Sequence, residues 1–350
     1  MRARAALLLA AAAVVGLIGP AVAAAAPAGL AAAALAAGPA AVAAAAVPVA
    51  DRVRCEFDTG VLPELSGLAT SIRHPGIVWA TNDSGGGPYL YALDSDTCRI
   101  RATLRLLDTP ARDHEALAVG RDAQGRAVIW VGDIGDNLGT WPYARIHKVV
   151  EPKRLRDADV PVTTYRFTYP GGPVNAEALL AAPDREQLWV ISKEAGVGSV
   201  FELPSPMSDS LEPMRATEVG TARSSVTDAA MAPDGSRYVV RDYLSAEVFS
   251  GEPPGTAEAR FGLPLQLQGE AVTWTEDGRS LLVASEGSGD LVEVDVPQSA
   301  LGTDEGIAAA LPRVAGFDIY PYVRVAAVAL AGLLALVLLR RAARRRRRVR

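Results

Sequence analysis

Between residues 64 and 286 one pattern of apolar and polar positions recurs five times. Each copy opens on a carboxylate followed by a short run of small and apolar residues: Glu64-Leu-Ser-Gly-Leu-Ala, Glu115-Ala-Leu-Ala-Val, Glu177-Ala-Leu-Leu-Ala, Asp228-Ala-Ala-Met-Ala and Glu270-Ala-Val-Thr-Trp. A polar turn follows, then a second, often aromatic run that ends on another acid: Asp83, Asp133, Glu194, Asp242 or Glu286. Runs this short, rich in Val, Leu, Tyr and Trp and bounded by Gly, Pro and Asp, predict strands. Pro233-Asp234-Gly235 and Glu276-Asp277-Gly278 predict hairpin turns. The leading acids are 51, 62, 51 and 42 residues apart. A repeat of that period built from short strands predicts an all-β fold, a β-propeller with one four-stranded blade per copy.

The fifth copy shows three strands, while Arg52–Asp58 stands ahead of the first copy with no partner in its own repeat. The expectation is a five-bladed ring closed by the N-terminal strand, which leaves no exposed sheet edge. The alternative is six blades, the sixth drawn from residues 297–320, where the β pattern is thin. The outer strand of the third blade is expected over Met214–Gly220.

The ends of the chain carry a different pattern. Arg2 and Arg4 precede an apolar run, Ala5–Ile18, and Ala21-Val22-Ala23 follows, which predicts a secretory signal peptide over 1–23. Residues 24–50 are an Ala/Pro-rich spacer, 51–297 the propeller and 298–322 a stalk. Residues 323–339 are apolar apart from Arg324 and read as a transmembrane helix at the short end of the range. Residues 340–350 hold eight arginines and read as a cytoplasmic tail, which leaves the propeller extracellular on a single-pass cell-membrane protein. Setting aside Arg2, Arg4, Arg324 and the tail leaves 24 basic against 40 acidic residues, a net charge of −16 on the exported part. Such a domain repels nucleic acid and attracts cations. An exported domain with two cysteines predicts one disulfide, Cys55–Cys98. The closing strand would carry Cys55 to the seam between the last and first blades; two free thiols are the alternative.

In a propeller the innermost strand and its hairpin partner begin and end at the same mouth. The acids of each copy are 19, 18, 17, 14 and 16 residues apart, which suits one hairpin. Glu64, Glu115, Glu177, Asp228 and Glu270 are therefore expected near the axis, with Asp83, Asp133, Glu194, Asp242 and Glu286 in a looser second ring. Ten carboxylates at one mouth cannot all remain ionised and uncompensated. Hard oxygen donors suit Ca2+, and the Gly-rich segment Gly132-Asp-Ile-Gly-Asp-Asn137 offers Asp136 and Asn137 beside Asp133 as further ligands. The alternative is that each repeated acid caps backbone N–H groups, and repetition in every blade favours it. Basic groups at the mouth are few. Lys193, Arg241 and His114 could pair with these acids or hold an anionic ligand, and His114 could move protons. Three histidines in all do not suit a His-rich transition-metal site.

Asn82-Asp-Ser-Gly-Gly-Gly matches the surroundings of a serine-protease nucleophile, but no histidine is placed to serve it. No nucleophile elbow, phosphate-binding loop or dinucleotide fingerprint occurs. The set Glu64-Leu-Ser-Gly-Leu-Ala, Asn82-Asp-Ser-Gly, Gly132-Asp-Ile-Gly-Asp-Asn, Ala176-Glu-Ala-Leu and Gln268-Gly-Glu-Ala resembles actinobacterial membrane-anchored propeller proteins of the phytase-like ("esterase-like activity of phytase") group. The resemblance covers roughly residues 55–297. It implies a propeller and bound Ca2+ ions that hold substrate phosphates. The basic cluster that would complete such a phosphate site is not visible here. Two functions are therefore expected: a surface binding or scaffold module that takes Ca2+ and an unknown extracellular ligand or protein partner, or a Ca2+-dependent phosphoester or ester hydrolase using Asp133, Asp136, Glu115 and Glu177.

Overall fold

The computed structural model describes residues 50–83 and 85–301. The expected signal peptide, transmembrane helix, tail, most of the spacer and most of the stalk lie outside the described residues. The described part is an all-β propeller of five sheets.

The first blade holds β2 (Leu65–Thr70), β3 (Ile77–Asn82), β4 (Tyr89–Asp94) and β5 (Ile100–Leu106). The second holds β6 (His114–Arg121), β7 (Ala127–Asp133), β8 (Ala144–Val150) and β10 (Thr163–Thr168). The third holds β11 (Ala176–Ala181), β12 (Leu188–Ser192), β13 (Gly198–Glu202) and β15 (Thr217–Ala222). The fourth holds β16 (Asp228–Met231), β17 (Arg237–Arg241), β18 (Ser245–Ser250) and β19 (Thr256–Gly262). The fifth holds β20 (Gly269–Trp274), β21 (Ser280–Ser285) and β22 (Asp290–Asp295), and β1 (Asp51–Glu56) completes it by pairing antiparallel with β22. The N-terminal strand thus closes the ring, and the five-bladed expectation holds. Cys55 and Cys98 form a disulfide that ties this closing strand to the turn after β4, across the seam of the last and first blades.

Period-two alternation explains why these strands stack as blades. Their side chains face the two neighbouring sheets in turn, and the buried apolar residues fall into five clusters, one per seam. The second strand repeats a large ring at one register position: Trp79, Trp130, Trp189 and Tyr238, with Leu282 in the fifth blade. All five of these side chains are buried.

Two short strands escaped the sequence pattern. β9 (Ala158–Val160) pairs parallel with β5, and β14 (Met214–Arg215) pairs parallel with β10. Each reaches back from its own blade to cover the outer edge of the preceding one. The expected single strand Met214–Gly220 is therefore two: Met214–Arg215 joins the second blade and Thr217–Ala222 the third. An edge strand with free N–H and C=O groups takes any adjacent extended segment as partner. Sequence alternation cannot say which blade a segment joins. Asp159 and Arg105 pair across the first of these straps.

Candidate functional site

The hairpin ladder slips where the innermost strand begins. The slip lies between Leu65 and Gly67, His114 and Ala116, Ala176 and Ala178, and Gly269 and Ala271. The residue skipped is Ser66, Glu115, Glu177 or Glu270. A bulge of this kind re-aims one side chain and commonly sits at a functional rim. In the fourth blade there is no slip, and Asp228 pairs directly with Arg241. In the first blade the position equivalent to Glu115 is Ser66, two residues after Glu64. The Ser66 hydroxyl lies 2.9 Å from the Glu115 backbone oxygen and 3.1 Å from its Oε2.

The same register locates the second ring. Asn82, Asp133, Ser192, Arg241 and Ser285 occupy equivalent last positions of the second strand, so the residues just beyond are Asp83, Ile134, Lys193, Asp242 and Glu286. Asp133 and Glu194, expected in this ring, are each one residue out of step. In a pleated strand one step reverses the face. Asp133 is accordingly fully buried within its blade, 2.9 Å from Arg112 Nε, 3.4 Å from Arg145 Nη1 and 3.7 Å from His147 Nε2. Burial alone would raise its carboxyl. The neighbouring imidazoles, the Asp113 N–H and Arg112 outweigh burial and hold it well below the carboxylate range. Glu194 is exposed.

Three carboxylates do meet. Asp83, Asp113 and Glu115 each present an oxygen within 4.8 Å of the other two. Asp113 was not among the sequence candidates. It lies in the connection before β6, and its backbone N–H donates to Asp133 Oδ1 at 3.0 Å. The buried Asp133 thus positions the third carboxylate rather than joining the cluster. Gly135 closes over it: a Cβ there would lie 2.5 Å from Asp113 Oδ2 and 2.6 Å from Glu115 Oε1. Burial, a hydrogen bond shared with Asp83 and the charges of Asp83, Asp133 and Glu177 push Asp113 up to about 7. Burial, then Glu177, Asp83 and Asp113, push Glu115 up strongly against the opposing pull of Lys193.

Beside the triad Lys193 Nζ donates to Glu177 Oε2 at 2.6 Å and sits 5.2 Å from the centre of the Tyr243 ring. The buried Glu177 carboxyl is raised by desolvation, which Lys193 opposes. Glu270, buried and facing Glu177 and Glu286, is raised to about 7 although Lys193 and Gln268 oppose the shift. Gln268 Nε2 donates to Glu270 Oε1 at 3.0 Å and also to Glu286 Oε2. Glu64 is half-buried and acts on Glu286.

The remaining candidates sit elsewhere in the ring. Asp228 is fully buried and accepts the N–H groups of Ala229 at 2.8 Å and Val272 at 2.7 Å, which ties the fourth blade to the fifth. Arg241, also fully buried, donates to the carbonyls of Ala271 and Ala284 and to Gln266 Oε1. Burial pushes its guanidinium down to about 10 despite Asp228, Asp242 and Glu270. Asp242 accepts from Leu244 N, Ser245 N and Arg260 and shapes its own turn. Asp136 accepts from the N–H groups of Thr140 and Trp141. Asn137 is exposed and its Oδ1 accepts from Asn175. His114 is fully buried between the sheets, its ring 5.7 Å from that of His147. Burial and His147 push His114 down to about 4.

Fold and site together define a five-bladed β-propeller with a carboxylate-rich mouth. No family model matches the chain, and no curated protein matches it. Among solved structures it is similar to the β-propeller domain of Myceliophteria thermophila Cps50 (Swd1), at 10% identity and a TM-score of 0.37, over 67% of this chain and 84% of that one. A likeness at that level carries no argument about what this chain does.

Proposed function

We propose that this protein is a surface binding module whose acidic mouth takes a Ca2+ ion between Asp83, Asp113 and Glu115, held outside the cell by the apolar segment 323–339. The observation that carries the reading is the meeting of three carboxylate oxygens within 4.8 Å, beneath a glycine that leaves no room for a side chain. The donor set is all oxygen, as Ca2+ requires. Two of the three carboxyls lie far above their ordinary range, so the cluster holds protons where a cation would serve instead.

The hydrolytic alternative called on Asp133 and Asp136 as well as Glu115 and Glu177. Asp133 is committed to Arg112 and Arg145, and Asp136 to two backbone donors. Binding is therefore the better supported function. The test is thermal melting of the purified full-length chain in EDTA and in Ca2+. A ligand at 100 times its dissociation constant adds about 2.7 kcal/mol, a rise of several degrees. Asp113→Asn should abolish that rise and, by removing one of the crowded charges, melt above the wild type in EDTA. No rise, or the same rise in the variant, would overturn the reading.

A further inference from the structure

Exposed aliphatic side chains gather on the face that carries the acidic mouth. Strand alternation places the loop after each second strand, and the connection before each innermost strand, at that mouth. Leu138, Val197 and Leu244 lie in the loops after β7, β12 and β17, and Leu265 and Leu267 in the connection between β19 and β20. Leu265 is 89% exposed and Leu267 93%. Single exposed leucines are ordinary, but several around one charged opening mark a contact surface. The segment with both leucines ends at Gln268, whose amide holds Glu270 and Glu286. Leu263 N donates to Leu244 O at 2.9 Å, which joins this segment to the loop of the fourth blade.

We propose that Leu244, Leu265 and Leu267, with Glu64 and Glu286, form the docking surface for a protein segment that presents one basic side chain flanked by aliphatic ones. The charge complementarity is local as well as global. The exported part carries −16, and Glu64 and Glu286 face each other across the seam of the first and fifth blades, next to Asp83. Lys193 shows how the mouth receives an ammonium group: one carboxylate at 2.6 Å and an aromatic ring at 5.2 Å. A basic side chain from a partner would find carboxylates on both sides between Glu64 and Glu286, and its aliphatic neighbours would cover the two leucines. An anionic membrane surface is repelled by the same charges. The surface goes beyond the Ca2+ reading and does not depend on it.

The test uses three blocked tripeptides as probes, Leu-Arg-Leu, Ser-Arg-Ser and Leu-Glu-Leu, titrated calorimetrically into the full-length chain. Leu-Arg-Leu should bind at least about ten-fold more tightly than either other probe, since each contribution is of the order of 1.4 kcal/mol. The Leu265→Ser/Leu267→Ser variant should bring Leu-Arg-Leu down to the level of Ser-Arg-Ser. Equal binding of the three probes, or unchanged binding in the serine variant, would overturn the proposal. The Ca2+-dependent melting shift of the serine variant, measured in parallel, should equal that of the wild type, which separates failure of this surface from failure of the cation site.

Discussion

Removing the disulfide should loosen the ring at its one non-consecutive seam. Cys55 lies in the closing strand and Cys98 in the first blade, 43 residues apart in sequence. A crosslink over that separation withdraws loop entropy from the unfolded chain worth about 4 kcal/mol at 25 °C. For a domain of some 250 residues each kcal/mol moves the melting temperature by about 2–4 °C. Cys55→Ala/Cys98→Ala should therefore melt about 8–16 °C below the wild type, and dithiothreitol should bring the wild type towards the variant. Cys98 has a φ of 55°, a left-handed backbone that favours glycine. Cys55→Ala/Cys98→Gly should accordingly recover about 1 kcal/mol of the loss. Differential scanning calorimetry reads both effects, and hydrogen exchange should show β1 as the first strand to lose protection. A drop below about 3 °C, or a variant whose β1 amides exchange no faster than those of β20, would refute the view that this bond locks the ring.

Asp113 and Glu270 have folded-state values raised to about 7 from the ordinary carboxylate range. Their contribution is full below about pH 4 and is lost as pH rises to about 7. The cation-free protein should lose stability across that window, and Ca2+ should raise the melting temperature more at pH 8 than at pH 5. Gly135→Ala places a methyl against Asp113 and Glu115; it should cost about 1–3 kcal/mol in urea denaturation and weaken Ca2+ binding in calorimetry. Arg241→Met removes a fully buried guanidinium from two carbonyls and from the neighbourhood of Asp228. Urea denaturation should show a loss of about 3–5 kcal/mol.

The fold was legible because its strands alternate and its repeats recur five times, the fifth one strand short. The unpaired strand at 52–58 pointed to ring closure, and Cys55 to the seam it locks. The straps β9 and β14 were not legible, since backbone pairing at a blade edge accepts almost any extended segment. The acidic cluster at the mouth was legible in kind but not in register. Aligning the repeats on acidic residues put Asp133 beside Asp83, whereas the ladder makes Ile134 the equivalent of Asp83 and turns Asp133 inward to Arg112. Asp113 escaped because it belongs to a connection outside the repeat. The one signal for it was the run Asp113-His114-Glu115, acids on both sides of the histidine that opens β6.

The proposed Ca2+ site is most directly tested by calorimetric titration of Ca2+ into the EDTA-stripped full-length protein at pH 7.5, in two buffers of different ionisation heat. Glu115 and part of the Asp113 population hold protons at that pH, so Ca2+ should bind and expel about one proton. Asp113→Asn should bind far more weakly and release fewer. No binding heat in either buffer, or binding without proton release that survives Asp113→Asn, would contradict a cation held by Asp83, Asp113 and Glu115.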